Sequence, residues 1–516
     1  MQGQKSHIKP HGGGWFNREL KILILFLGLI SFSNLIFSNN TFALFTPTLS
    51  ASVDQTNLQI NGNQVINSTN KTTEIPFSFT VNTNNRTGYT ATLSAETENT
   101  ALTNTGSAVG AKIDSISTNI SLNNLPNNTW GYKFGASTNY APIPALSTPT
   151  QILQTTGKTN GNESNQLSIG MKLADNLESG NYTNKLILSF VSNPYTPIAI
   201  MANGQYFNYR LKGLETATNK IERFKKSPVA PAASINAKNI ENGESDYEIK
   251  LWLDPTDKTA YYYTEPEKVY LNANSSEMFY SKYDEQKIKN ILEIDLSNFD
   301  TSKVTNMRTM FYDMRNLTTL NISNFDTSQV TDMSYMFMHM SSLTTLDLSN
   351  FNTSKVTDMR EMFQNVRRLT SLDLSSFNTF NVTDMQSMFE YMYALTSLNL
   401  SNFDTSNVTN MGSMFDEMFS LTSLDLSNFD TSKVTDMSRM FYLSYENASS
   451  DQLETIYVKN DFGTTKLTSS YVMFTNRKKL RGGAGSFLSD PSTADKSWLR
   501  IDDPAHGRPG YFTRKP

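Results

Sequence analysis

LDLSNFDTSKVTDM stands at residues 424–437, and a near-copy, LDLSNFNTSKVTDM, stands at 346–359. Related versions begin at Ile294, Leu320, Leu372 and Leu398, a period of 26 residues. A period in that range marks one supersecondary unit that cannot bury its own apolar side and must stack on its neighbours. Leu317–Ser342 serves as the specimen. Leu320 and Ile322 alternate with Thr319, Asn321 and Ser323, which predicts a short strand with its apolar side inward. SNFDTS predicts a bend held by short polar side chains. Thr331 and Asp332 read as the cap and first turn of a helix. Met333, Met336, Phe337 and Met340 then fall at i, i+3, i+4 and i+7, one helix face.

Strand, turn and two helical turns per unit give an α/β leucine-rich-repeat solenoid. The frame holds through six units starting at Ile291, Leu317, Leu343, Leu369, Leu395 and Leu421. Phe299, Phe325, Phe351, Phe377, Phe403 and Phe429 make one expected interior ladder. Phe311, Phe337, Phe363, Phe389, Phe415 and Phe441 make another. Methionine suits such a core, because a flexible thioether fills uneven gaps between stacked units. The array therefore spans 291–446. SSEMFY at 275–280 and SSYVMF at 469–474 echo it off register, so 200–290 and 447–516 read as capping regions. WLDPTDKTAYYYTEPEKVYLN at 252–272 supplies two strands of the first cap, and KSPVAPAAS at 226–234 is a turn-rich linker or loop.

The chain has 516 residues, too many for one compact domain. A net charge of −4 argues against nucleic acid, which needs a basic surface. Cysteine is absent, so disulfides, thiolate metal ligands and a thiol nucleophile are excluded. Residues 1–43 read as a signal peptide or membrane anchor. Lys5, Lys9, Arg18 and Lys21 precede the apolar run ILILFLGLI at 22–30, which continues less purely to Phe37, and Ala43 is the candidate cleavage residue. Cleavage is preferred over an anchor at 22–37, since Ser31, Ser33 and Asn34 interrupt a run already short of a span. Either way the remainder is expected outside the cytoplasm.

Residues 50–195 alternate with period two. Ile75, Phe77, Phe79 and Val81 form one row; others run from Tyr89, from Trp130, through Leu167 to Leu173, and through Leu186, Leu188 and Phe190. Such rows predict an antiparallel β-sandwich. Asn61-Gly62 reads as a tight hairpin turn.

LDLSNFDTSKVTDMSRMF resembles the BspA-like leucine-rich repeats of bacterial surface proteins, a repeat also found in mycoplasma lipoproteins. The resemblance covers about 250–516, including a closing segment, GGAGSFLSDPSTADKSWLRIDDPAHGRPGYFT, and an opening one, YYYTEPEKVYLNANSSEMF. NNRTGYTATLSA and SGNYTNKLILSF resemble β-sandwich modules of bacterial surface proteins. Two departures stand out. The family's usual Cys near the end of each MF segment is replaced by Met314, Met340, Val366, Met392 and Met418. No sorting motif or second span follows Tyr511, so covalent wall anchoring is not expected. The resemblance implies a secreted or surface-exposed protein, and adhesion to host matrix or to partner cells.

The polar row Asp295, Asn321, Asp347, Asp373, Asn399 and Asp425 would lie along the sheet at about 4.8 Å spacing. A row does not converge on a cation, so a solvated face is the simpler reading and no cofactor or metal is expected. The positions that vary between units are different. Tyr312, Tyr335, Arg360, Arg367, Arg368, Tyr391 and Tyr393, with His339, Phe419 and Arg439 nearby, belong to residue types enriched in protein interfaces. Free drift on an unconstrained surface explains them as well. The Ser, Asp and Glu of the array are read as recurring in every unit, which would single out no nucleophile or acid–base pair and argues against an enzyme. The expected partner is a protein or cell-surface ligand, met by a monomer that touches membrane only through an uncleaved N-terminal segment. The competing reading is a surface-layer or spacer protein without a specific partner.

Overall fold

The computed structural model describes residues 44–281 and 286–515, together with the backbone of Asn17–Leu25. The chain forms two compact bodies, dividing between Thr196 and Pro197. Ala43 and the run that follows Leu25 lie outside the described residues. Asn17–Leu25, which overlaps the apolar run, is a strand. Its backbone runs parallel to Asn184–Ser189 and antiparallel to Asn57–Asn61.

In the first body the alternating rows become strands with one face inward. Thr72–Thr83 and Glu163–Lys172 pair antiparallel along ten residues. Tyr182–Ser192 pairs with Tyr89–Ala95. Phe77, Phe79, Val81, Leu167, Ile169, Leu186, Leu188 and Phe190 are all buried. Hydrogen bonds join eleven strands into one continuous sheet rather than two separate ones. The sheet curls so that distant strands meet across the core, with the Phe79 and Phe190 rings 5.2 Å apart. Trp130, fully buried, donates its indole N–H to the Thr100 carbonyl at 3.0 Å. Asn61-Gly62 does not turn a hairpin. Asn61 caps the short helix Gly62–Ile66, its side chain accepting from the Asn63 N–H.

In the second body the 26-residue units stack. Parallel bridges link Asn274, Asn306, Asp332, Asp358, Asp384, Asn410, Asp436 and Ser469 in succession. The first cap contributes the helix Gly204–Lys212, started by the Asn203 side chain, which buries Phe207 and Leu211. It also contributes the hairpin Lys250–Asp254 with Thr259–Tyr263, the second strand inside the stretch 252–272 where two were expected and the first beginning two residues before it. Short parallel strands carry the array, Ser371–Asp373 on Ser397–Asn399, and Ser423–Asp425 on Thr455–Val458.

This arrangement overturns the α/β leucine-rich-repeat solenoid. The regular structure of the described residues is mostly strand, in several sheets, and their α-helices, Gly62–Ile66 and Gly204–Lys212, lie outside the repeats. No MF segment is helical; each is a run of turns. Alternate N–H groups, those of Met307, Thr309, Phe311 and Asp313, donate to Asp332, Ser334, Met336 and Met338 of the next coil at 2.9–3.0 Å. An α-helix would spend those donors within itself. Between them the chain turns through left-handed residues, Thr309 at φ 53° and Asp313 at φ 63°, repeated at Tyr335 and His339, Glu361 and Asn365, Ser387 and Tyr391, and Ser413 and Glu417. With left-handed residues four apart, the buried side chains Met307, Met310, Phe311 and Met314 still fall at i, i+3, i+4 and i+7, the spacing of a helix face.

Thr331 is therefore no helix cap. Its N–H and Oγ1 both donate to the Thr305 carbonyl of the preceding coil, at 2.8 and 3.1 Å, and Thr357, Thr383, Thr409 and Thr435 repeat the contact. Asp332 holds a bend by accepting from the Ser334 N–H. A second threonine ladder lies inside. Thr301, Thr327, Thr353, Thr379 and Thr405 are buried, and each Oγ1 donates to a carbonyl of the next coil while accepting that residue's N–H. A buried turn needs those pairings, because an unmatched backbone group inside costs as much as a lost hydrogen bond. Around the threonines the apolar ladders close. Phe279, Phe311, Phe337, Phe363, Phe389, Phe415, Phe441 and Phe474 stack with centroids 5.2–6.0 Å apart.

Candidate functional site

What the interior fixes, the outer corner of each coil leaves free. The two residues after the MF pair, the second of them left-handed, differ from coil to coil and range from half-buried to buried, so neighbouring coils set different side chains against one another. Tyr312 lies 5.0 Å from the Tyr280 ring and 5.6 Å from the His339 ring. His339 Nδ1 meets the Asn365 amide, whose oxygen accepts from Arg367 Nε. The Arg367 guanidinium stands 5.2 Å from the Tyr393 ring centre. Tyr393 stacks on Phe419 at 5.1 Å and meets Tyr391 edge-on at 6.0 Å. Tyr312, Arg367, Tyr391 and Tyr393 thus belong to one ribbon running along the stack.

Tyr335 and Arg360 form a second group. Arg308 lies over the Tyr335 ring at 4.9 Å. Arg360 grips Asp358, with Nε 2.9 Å from Oδ2, which leaves less of its fork for a partner. Arg368 is exposed beside Arg367, and no contact joins it to the ribbon. The ribbon's rings are half-buried, so they are braced rather than free. Burial raises the phenol pKa of Tyr312, Tyr335 and Tyr393 and pushes Tyr391 up to about 12, so all four stay neutral hydrogen-bonding groups. Burial also lowers His339, which is neutral at pH 7.

A row of carboxylates that the sequence reading passed over runs beside the ribbon. Glu361 and Asp384 are raised, each chiefly by burial, with Glu390 repelling the first and Asp358 the second. Asp416 is wholly buried against Arg439, with Nε 2.8 Å from Oδ2. The signal was available in MFDEMF at 414–419: a charged pair at positions where other units carry Tyr312, Met338 and His339. The other acidic row is ordinary. Asp347, Asp373 and Asp425 each accept from the N–H of the serine two residues on, which holds a bend. Their pKa values fall, through those serine bonds at Asp347 and Asp373 and, at Asp425, through Lys515 and Ser427 against the opposing effect of burial. Among the described residues no group of three His, Asp or Glu is placed to hold a metal ion. A shallow groove over Thr319, Asn321, Thr345, Asp347 and Ser371 runs along this strand side.

Residues 273–392 and 366–487 match the model of a family described as Mycoplasma protein of unknown function, DUF285. The matched residues run from the end of the first cap through the stacked coils into the second cap. No curated protein matches the chain.

Proposed function

We propose that this is an exported bacterial binding protein that uses the coil corners to hold a protein or cell-surface ligand, in the manner of an adhesin. The observation that carries the reading is the ribbon from Tyr312 through Arg367 to Tyr393 and Phe419. Aromatic rings already braced by stacking lose little freedom on contact, and Tyr with Arg are the residue types that most often anchor interfaces. Interior ladders repeat from coil to coil while this ribbon does not, which is the pattern of a scaffold carrying a specific surface. Export rests on the apolar run at 22–37 and on Ala43, and the match to a mycoplasma repeat family is in keeping with surface display. No catalytic role is part of the proposal.

The test is to present the purified chain to extracellular-matrix proteins and to intact cells. Replacing Tyr312, Arg367 and Tyr393 together by Ala is expected to weaken saturable binding by at least about tenfold, as the loss of central anchors does. Circular dichroism should be unchanged. Binding that survives the triple change would place the contact elsewhere, and absence of saturable binding to any surface would favour the spacer reading.

A further inference from the structure

Asp416 occupies the position taken by Tyr312, Met338, Gln364, Glu390 and Tyr442 in other coils. Its carboxyl is fully buried. Oδ2 accepts from Arg439 Nε at 2.8 Å, and Oδ1 has no hydrogen-bond partner among the described residues. Two further carboxylates press on it. Glu390, on the preceding coil, is 8% exposed and accepts from Gln364; Glu417, next in sequence, is 3% exposed and accepts from the Ser444 N–H at 2.8 Å and from Asn447 at 2.7 Å. The preceding coil also presents Tyr391 and Tyr393, and the following coil presents Arg439 and Tyr442. Arg439 is itself in left-handed backbone at φ 56°, with its guanidinium 3.8 Å from the Tyr442 ring centre. The guanidinium of Arg439 is hydrogen-bonded to Asp416, while Glu390 and Glu417 are held by neutral donors, Gln364 for the first and Ser444 and Asn447 for the second.

We propose that Asp416 is a proton-operated latch: protonated, it lets the coils carrying Glu390, Glu417 and Arg439 close on one another, and ionised, it loosens them. An unpartnered buried carboxylate oxygen is costly when charged and far less so when the group is neutral. In keeping with the geometry, the Asp416 pKa is pushed up to about 7. Burial is the largest cause, Arg439 works against it, and Glu390 and Glu417 add to it. An unfolded aspartate titrates near about 3.9. Between those values the folded chain keeps a proton that the unfolded chain has released, so stability is greatest at the acid end of the window and falls as pH rises towards 7. The latch adjoins Tyr391 and Tyr393, but it does not depend on the binding reading being correct.

Hydrogen exchange of the full-length protein, followed on peptides covering 386–420 and 437–447 and corrected for intrinsic rates, tests it. Protection in these peptides should be about tenfold greater at pH 6 than at pH 8, as one group titrating near 7 dictates. In Asp416→Asn that pH dependence should vanish. If that variant does not fold, Glu390→Gln, which removes one repelling charge, should move the pH midpoint down while leaving the transition in place. Equal protection at the two pH values in the unaltered protein overturns the proposal, as does an undiminished pH dependence in Asp416→Asn.

Discussion

Phe389→Ala is expected to lower the stability of the second body by about 3–5 kcal/mol, the range for emptying a well-packed aromatic site. Phe389 is fully buried in the middle of a ladder of eight rings, 5.9 Å from Phe363 and 5.8 Å from Phe415 and nearly parallel to both. Its neighbours cannot collapse into the gap, because their backbones are pinned by hydrogen bonds between coils: the Phe389 N–H donates to Met414, and the Phe363 N–H donates to Met388. Removing one ring should also disturb coils on both sides, since each coil is stabilised chiefly by its neighbours. Denaturant unfolding of the full chain gives the number. A loss below about 1 kcal/mol would mean that the ladder is not packed as described.

Asp451→Ala should cost as much, for a different reason. Arg477 and Asp451 are each 1% exposed and joined at 2.9 Å. Arg477 stands where earlier coils place Met314, Met340, Met392 and Met418. There it closes the stack by donating to the carbonyls of Phe441 at 2.6 Å, Met418 at 3.0 Å and Phe415 at 3.3 Å. Taking away the carboxylate leaves a buried, unpaired guanidinium, a defect that costs about 3–5 kcal/mol. Arg477→Met combined with Asp451→Asn removes both charges and restores the residue of the other coils, so the double variant should be more stable than Asp451→Ala alone. Equal or greater loss in the double variant would show that the carbonyl contacts, not the charge pair, close the stack.

Much of this architecture was legible in the residues. Period-two rows such as Phe77, Phe79 and Val81 became strands, because alternation has one structural solution when one face is dry. The identical spacing of Phe311, Phe337 and Phe363 required them to stack. The helix after Thr331 was the error. Met333, Met336, Phe337 and Met340 are spaced for a helix, but the same spacing serves turns with left-handed corners, and periodicity cannot tell the two apart. The deciding information is the use of backbone donors between coils, which no single unit contains. Thr305, Thr331 and Thr357 hinted at it, since an exposed threonine kept at the same place in every unit has work that helix capping does not demand at such regularity. Asn61-Gly62 misled in a similar way, for Asn is as good a helix cap as a turn residue. At the candidate site the ribbon residues could be named from their variability. Their grouping could not, because it depends on which corners face one another, and Arg368 fell outside it while Arg360 proved tied to Asp358.

The central claim is that the repeats are turns with left-handed corners and not helices, and Ser413→Gly tests it most directly. Ser413 sits at φ 54°, and its backbone N–H donates to the Ser438 carbonyl. A left-handed corner costs an L-residue roughly 1–2 kcal/mol, which glycine escapes at the expense of a smaller loss of freedom on folding. The substitution should therefore raise stability in denaturant unfolding by about 0.5–1 kcal/mol. In a helix interior the same change lowers stability by a few tenths of a kcal/mol, and a measured loss would contradict the account.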